Sequence, residues 1–170
     1  ILSETGAPPD SELVKGAVAY LLETFDESLS GWRKVPPSVN DHPHAEWWHH
    51  PEGHAASEDA ALWALTNADI LSLLLDYPTL VPPAFLERLT GEAVARLQEL
   101  PDAMDMHVYA AYERLSGRID SAHRLAVVDK LTRAALAILD ANPDHWSGFV
   151  SSPLWIAPRA DSPLVTLAPF

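Results

Sequence analysis

LTNADILSLLLDY, running from Leu65 to Tyr77, is apolar almost all the way round a helical wheel. Thr66 reads as its N-cap, with Asp69 at the third helical position reaching back, and Pro78 ends it. A helix without a polar face is buried on most sides, so neighbouring segments must cover it. The next segment has the right pattern. Pro82-Pro83 opens a helix, since proline suits a first turn. Its apolar stripe is Leu86, Leu89, Ala93, Leu97 and Leu100, while Glu87, Arg88, Glu92, Arg96 and Glu99 lie elsewhere.

Further out the pattern repeats. Upstream, a helix is expected from about Ser11 to Phe25, capped by Asp10 or Ser11. Leu13, Ala17, Tyr20, Leu21 and Thr24 recur at helical spacing, and Val14, Val18 and Leu22 widen the face. Downstream, one helix is expected from Asp102 to Ser116. Another runs from Asp120 or Ser121 to about Ala141, with Leu125, Val128, Leu131, Ala135 and Leu139 toward the core. The proline- and aromatic-rich tail, 142–170, reads as extended chain wrapped over the helices. No useful β-alternation occurs. The expected class is all-α, five helices in a single domain over residues 1–170.

Composition narrows the chemistry. The net charge is −13 and the pI about 4.8. Such a surface repels phosphate backbones, which argues against nucleic-acid partners, and disfavours anionic membrane surfaces. With no cysteine, disulfides, zinc–thiolate sites and thiol catalysis are excluded. No apolar run approaches the roughly 20 residues that span a bilayer, so no membrane span is expected, and the expected compartment is the cytoplasm. The opening ILSETG lacks an initiator methionine and any signal pattern, which leaves room for an upstream segment.

AVAYLLETFDESLSGW, residues 17–32, is a helix, an acidic turn and then Gly31-Trp32. It resembles the helix–turn–Gly-x-Trp repeats of the terpenoid cyclase and prenyltransferase α/α toroid superfamily, without the usual glutamine. VPPSVNDHPHAEWW, LTNADILSLLLDY and DMHVYAAYERL are similar to uncharacterised bacterial proteins placed near that superfamily. The resemblance implies alternating helices in two concentric layers. A full toroid needs about a dozen helices, so this chain would be an incomplete array with exposed ends, a portion of a ring or an opened relative. The superfamily's chemistry does not follow. Neither Asp-x-Asp-Asp nor Asp-Asp-x-x-Asp occurs, and Asp102-x-x-Asp105 is the nearest approach.

The irregular stretch between Asp26 and Leu65 holds the main site candidates. Within it, NDHPHAEWWHHPEGH (Asn40 to His54) carries five of the eight histidines. His42 and His44 form a His-x-His pair beside Glu46, a donor set that suits zinc, nickel, iron or copper. The plainer reading is a proline-stiffened structural loop with no tightly held metal and no cofactor; if an ion does bind, His42, His44 and Glu46 are its ligands. Trp47 and Trp48 face opposite ways in an extended chain. Either both anchor the loop, or one joins His44 and Glu46 in walling a site for an apolar ligand. Trp32 and at least one of Trp47 and Trp48 are expected to be buried anchors.

The helix DAMDMHVYAAYERL is the other candidate. His107 falls among apolar residues at about 100° per residue and is expected in the core. Asp105, Tyr109 and Tyr112 share another face, a polar pocket wall if the helix is an inner one. Asp105 and His107 lie about 200° apart, which argues against a dyad within the helix. As catalytic candidates, Asp105, His107, Tyr109 and Tyr112 are weak, and capping is the plainer role for Asp105.

Two functional expectations follow. The chain binds or transforms a small apolar, isoprenoid-like molecule between the 40–54 loop and the 102–116 helix. Alternatively, it is a non-catalytic helical interaction module whose open ends dock on a protein partner, another domain or a second copy.

Overall fold

The computed structural model describes residues 6–50, 60–140, 142–146 and 153–167. Five main helices are α1 (Glu12–Glu23), α2 (Ala60–Leu75), α3 (Pro83–Glu99), α4 (Met106–Ser116) and α5 (Ser121–Ile138), followed by short α6 (Pro153–Ile156) and α7 (Pro163–Leu167). Among the described residues the only β feature is an isolated bridge between Asp26 and Gly31. The chain is all-α.

α2 packs against α3 and α4, and α5 packs against the same two helices. The four form a ring in the order α2, α3, α5, α4 around one core. Ala64, Ala68 and Leu71 of α2, Ala93 and Leu97 of α3, Leu115 of α4 and Val127, Leu131 and Ala134 of α5 are completely covered. Tyr112 of α4 is also fully buried and donates its hydroxyl to the Ala93 carbonyl of α3 at 2.8 Å. That bond joins the two helices across the ring and satisfies a phenol that would otherwise be costly to bury.

α2 begins at or before Ala60, so Thr66 is inside the helix and caps nothing. Asp69 instead accepts from Arg114 of α4 at 2.6 Å. Asn67 is fully buried. Its amide oxygen accepts from the Trp32 N–H at 2.8 Å, and its NH2 donates to the carbonyls of Trp63 at 2.9 Å and Trp32 at 3.4 Å. A polar side chain in an apolar helix is tolerable once its donors and acceptors are all engaged.

Gly31 explains itself at the same point. A Cβ there would lie 2.3 Å from Asn67 Oδ1 and 2.6 Å from Trp63 Nε1, so only glycine lets the turn approach α2. The turn is held by paired Asp26 and Gly31 backbone bonds at 2.9 and 3.2 Å, and by Asp26 accepting from the Ser28 N–H at 2.9 Å. Trp32 is buried, as expected, and its indole donates to the Leu21 carbonyl at 2.7 Å. Phe25 meets Trp32 and Phe85 edge-on, with centroids 5.0 and 4.9 Å apart. This cluster orients α1 so that Val14 and Val18 point inward. Leu13 and Tyr20, expected in the core, stay exposed.

α3 matches expectation: Pro83 opens it, and Leu86, Leu89, Ala93, Leu97 and Leu100 are all buried. α5 does not. Its inward face is Val127, Val128, Leu131, Ala134 and Ala135, while Leu125 and Leu139 are exposed. Lys130 also lies on the buried side. It is stabilised there by Asp102 at 2.7 Å and the Leu100 carbonyl at 2.5 Å, close to the C-terminal end of α3. The tail is not simply extended. α6 packs on α4 and α7 on α5, each starting at a proline whose missing N–H costs a first turn nothing.

Asn67→Ala leaves the Trp32 N–H and C=O without their partner in a dry site. At roughly 1–3 kcal/mol for each orphaned group, urea unfolding should show a loss of about 2–6 kcal/mol. Gly31→Ala should also destabilise strongly, because the contacted atoms belong to the Asn67 amide and the Trp63 ring rather than to a flexible chain end. Wild-type stability for either variant would remove this junction from its central place.

Candidate functional site

The 40–50 loop is ordered by short turns and one side-chain amide. Two 3-10 turns, Pro37–Asp41 and Glu46–Trp48, are closed by Asn40, which accepts from the His50 N–H at 2.9 Å and donates to the His50 carbonyl at 2.8 Å. His44 Nδ1 lies 2.5 Å from the His42 carbonyl, so it must carry the proton. Its Nε2 faces His49 Nδ1 at 3.2 Å, and the rings stack with centroids 5.4 Å apart. His44 therefore binds the backbone of His42 and the ring of His49. Glu46 is exposed and does not join them into a set. Among the described residues, no three His, Asp or Glu side chains converge as metal ligands. His54, with Pro51 and Gly53, lies outside the described residues.

The tryptophans correct one expectation. Trp47 is 71% exposed and Trp48 42% exposed, so neither is a buried anchor. Lys34 covers this corner, its ammonium 4.8 Å from the centre of the Trp48 ring and 3.2 Å from the Trp47 carbonyl. Among the described residues the other buried indole is Trp63, which donates to the Leu29 carbonyl at 3.1 Å and carries the Arg96 guanidinium 4.1 Å from its ring centre. Trp63 and Asn67 lie one turn apart on α2 and put two hydrogen-bonding side chains on its buried side. That is the sequence signal for the buried junction.

On α4 the geometry differs from the helical-wheel picture. Asp105 is the N-cap, accepting from the His107 N–H at 2.7 Å. Because Asp105 lies outside the helix proper, the 200° separation does not apply, and its carboxylate also meets His107 Nδ1 at 2.9 Å. His107 is exposed rather than in the core. α5 begins the same way. Asp120 accepts from the Ala122 and His123 N–H groups at 2.8 and 3.1 Å and meets the His123 ring at 2.6 Å. These Asp–His pairs are capping devices. Asp102 is also engaged, by Lys130 and Arg133, so Asp102 and Asp105 are not arranged as a diphosphate-binding pair.

Tyr109 and Tyr112 are buried and do not line an open wall. Tyr109 donates to the Ile156 carbonyl at 3.3 Å. Burial, with the charge of Glu113 adding to it, pushes its phenol up to about 12. Burial drives Tyr112 higher still.

One concave site among the described residues was not anticipated from the sequence. It is a cleft of about 220 Å³ where the C-terminal ends of α2 and α4 meet the start of α7, lined by Asp76, Glu113, Arg114, Arg118, Arg159 and Asp161 among others. Arg118 grips Asp76 with two bonds of 2.8 and 3.2 Å. The signal was YERLSGR at the end of α4, where Glu113, Arg114 and Arg118 crowd one helix terminus.

Two outcomes test these assignments. Trp32→Ala should lower stability by about 3–5 kcal/mol, the range for deleting a buried aromatic, whereas Trp47→Ala should stay within about 0.5 kcal/mol of the parent. Equal melting shifts would reverse the assignment. The second concerns Asp120, whose pKa is lowered from 3.8 to about 2, chiefly by the hydrogen bond to His123. A depressed carboxylate stabilises the fold above its unfolded pKa, and that contribution is lost as pH falls through the folded value. Asp120→Asn should therefore flatten the stability loss between about pH 4 and pH 2. An unchanged acid limb would show that the cap does not titrate this way.

The chain matches no protein-family model, and neither a curated protein nor a solved structure is significantly similar to it.

Proposed function

We propose that the chain is a non-catalytic helical interaction module that docks through the outer face of α5 on a second subunit. The observation that carries this is that α5 is apolar on two sides. Its inner face is committed to α3 and α4, while Leu125 and Leu136 remain 63% and 69% exposed and Leu139 is also uncovered. At about 100° per residue these three share one outward stripe, with Asp129 and Thr132 between them. A surface helix has no use for a second apolar stripe unless something covers it.

The sense of packing supports the same reading. Asp69–Arg114 and Asp76–Arg118 run in step along α2 and α4, and Gln98–Ala126 and Leu100–Lys130 run in step along α3 and α5. Two helical hairpins thus lie side by side in the same sense, an arrangement that further pairs can extend. On this proposal the α/α toroid-like array suggested by the Gly31-Trp32 resemblance is incomplete here and ends at α5. The isoprenoid-pocket alternative has less to stand on, because Tyr109 and Tyr112 are held within the packed helices and Asp105 serves as a cap.

Sedimentation equilibrium provides the test. The expected result is reversible self-association between about 1 and 500 µM, abolished in Leu125→Glu/Leu136→Glu while the helical circular dichroism signal is kept. A chain that stays monomeric throughout, or whose association survives both charges, overturns the docking face.

A further inference from the structure

Glu113 is 8% exposed and lines the cleft between α2, α4 and α7, and its side-chain carboxylate has no hydrogen-bond or ion-pair partner among the described residues. Each neighbouring donor is engaged elsewhere. Arg114 bonds Asp69, Arg118 bonds Asp76 and the Arg114 carbonyl, and Arg159 faces Asp161 at 3.4 Å. Tyr109 gives its proton to Ile156, and Ser116 gives its own to the Glu113 carbonyl at 2.7 Å. Every guanidinium around the cleft has its own aspartate, so the charge left without a mate is that of Glu113. A carboxylate withdrawn from water without a partner is costly, and such a group at the wall of a cleft is complementary to a cationic donor.

We propose that this cleft binds a small organic cation, an alkylammonium or guanidinium group whose N–H donors meet the Glu113 carboxylate. The volume, about 220 Å³, suits a group of that size. Selectivity follows from the walls. Arg118 and Asp76 offset each other, as do Arg159 and Asp161, and Arg114 is matched by Asp69, so the Glu113 carboxylate sets the sign of the charge that a ligand meets. Gly117 helps keep the space open. Its backbone is ordinary, at φ −73° and ψ −16°, and a Cβ there would sit 3.8 Å from the Arg114 carbonyl oxygen and 3.9 Å from Pro163 Cδ. A methyl group therefore fits, whereas a long side chain would enter the cleft. The site is separate from the α5 face and does not depend on docking.

The experiment titrates the intact chain with n-butylammonium, agmatine and N-acetyl-lysine methylamide, following amide NMR shifts and the melting temperature. The first two stand for free small cations and the third for a lysine presented by a peptide. Sodium chloride at equal ionic strength and n-butanol, the uncharged isostere, are the controls. At least one cation should shift the amides of residues 113–118 and 159–164 and raise the melting temperature, with n-butanol doing neither. Which probe binds tighter assigns the source. Glu113→Gln, nearly isosteric, should weaken binding about ten-fold or more, and Gly117→Leu should block it sterically while leaving Glu113 in place. If Glu113→Gln fails to fold, the comparison of butylammonium with n-butanol on the wild-type chain decides alone. Binding that n-butanol reproduces, that survives Glu113→Gln, or that does not exceed the salt control overturns the proposal.

Discussion

The amide of Asn67 is the constraint on which the rest of the structure depends. It ties the Gly31-Trp32 turn to α2 with bonds to both backbone groups of Trp32, and the Trp63 indole adds a further bond to the carbonyl of Leu29. The turn then carries the Trp32 ring to the Leu21 carbonyl of α1, and Phe25 and Phe85 close around it. One buried polar side chain thereby sets how α1 enters the fold, where the acidic turn sits and which face of α3 meets it. Such a network specifies an arrangement more than it adds stability, since its main energetic effect is to avoid orphaned polar groups.

The second tier of order is charge placed at helix ends. Arg114 of α4 reaches Asp69 of α2, and Arg118 just past α4 reaches Asp76 just past α2, which sets the register of the two helices. Lys130 closes the C-terminal end of α3 together with Asp102, and Asp105 and Asp120 start α4 and α5. In an acidic chain these aspartates are not surplus surface charge. Several are engaged with the backbone or with a cation, and the histidines of α4 and α5 serve the same caps. The group left over in this accounting is the Glu113 carboxyl, which is buried without a hydrogen-bond or ion-pair partner among the described residues.

Legibility in the sequence followed the number of solutions each pattern allowed. α3 has one apolar stripe and one charged face, so its phase was readable to the residue. α1 and α5 each carry apolar residues on two sides, so periodicity admitted two orientations and the one first favoured put Leu13, Tyr20, Leu125 and Leu139 in the wrong place. The start of α2 was misplaced because Thr66-Asn67-Ala68-Asp69 has the composition of a cap. Its polar groups are in fact spent on contacts far along the chain, 35 residues away for Trp32 and 45 for Arg114. The Trp/His loop misled for a related reason. Density of unusual residues suggested anchors or ligands, yet the Asn40 side-chain amide orders it by clamping the His50 backbone, while Trp47 and Trp48 face outward.

By itself the sequence determined the helical class, because proline punctuation and helical spacing are local properties of a chain. It also determined that this stretch of chain has no thiol chemistry, because it contains no cysteine in any fold. Only the tertiary structure decided which apolar stripe is core and which polar residues are buried. It likewise decided that Glu113, unremarkable in YERLSGR, ends beside three arginines already paired with aspartates. Burial and charge neutralisation depend on which distant segments arrive at a place, and in this molecule the partners come from α2, α4 and the segment before α7, separated by dozens of residues in the chain.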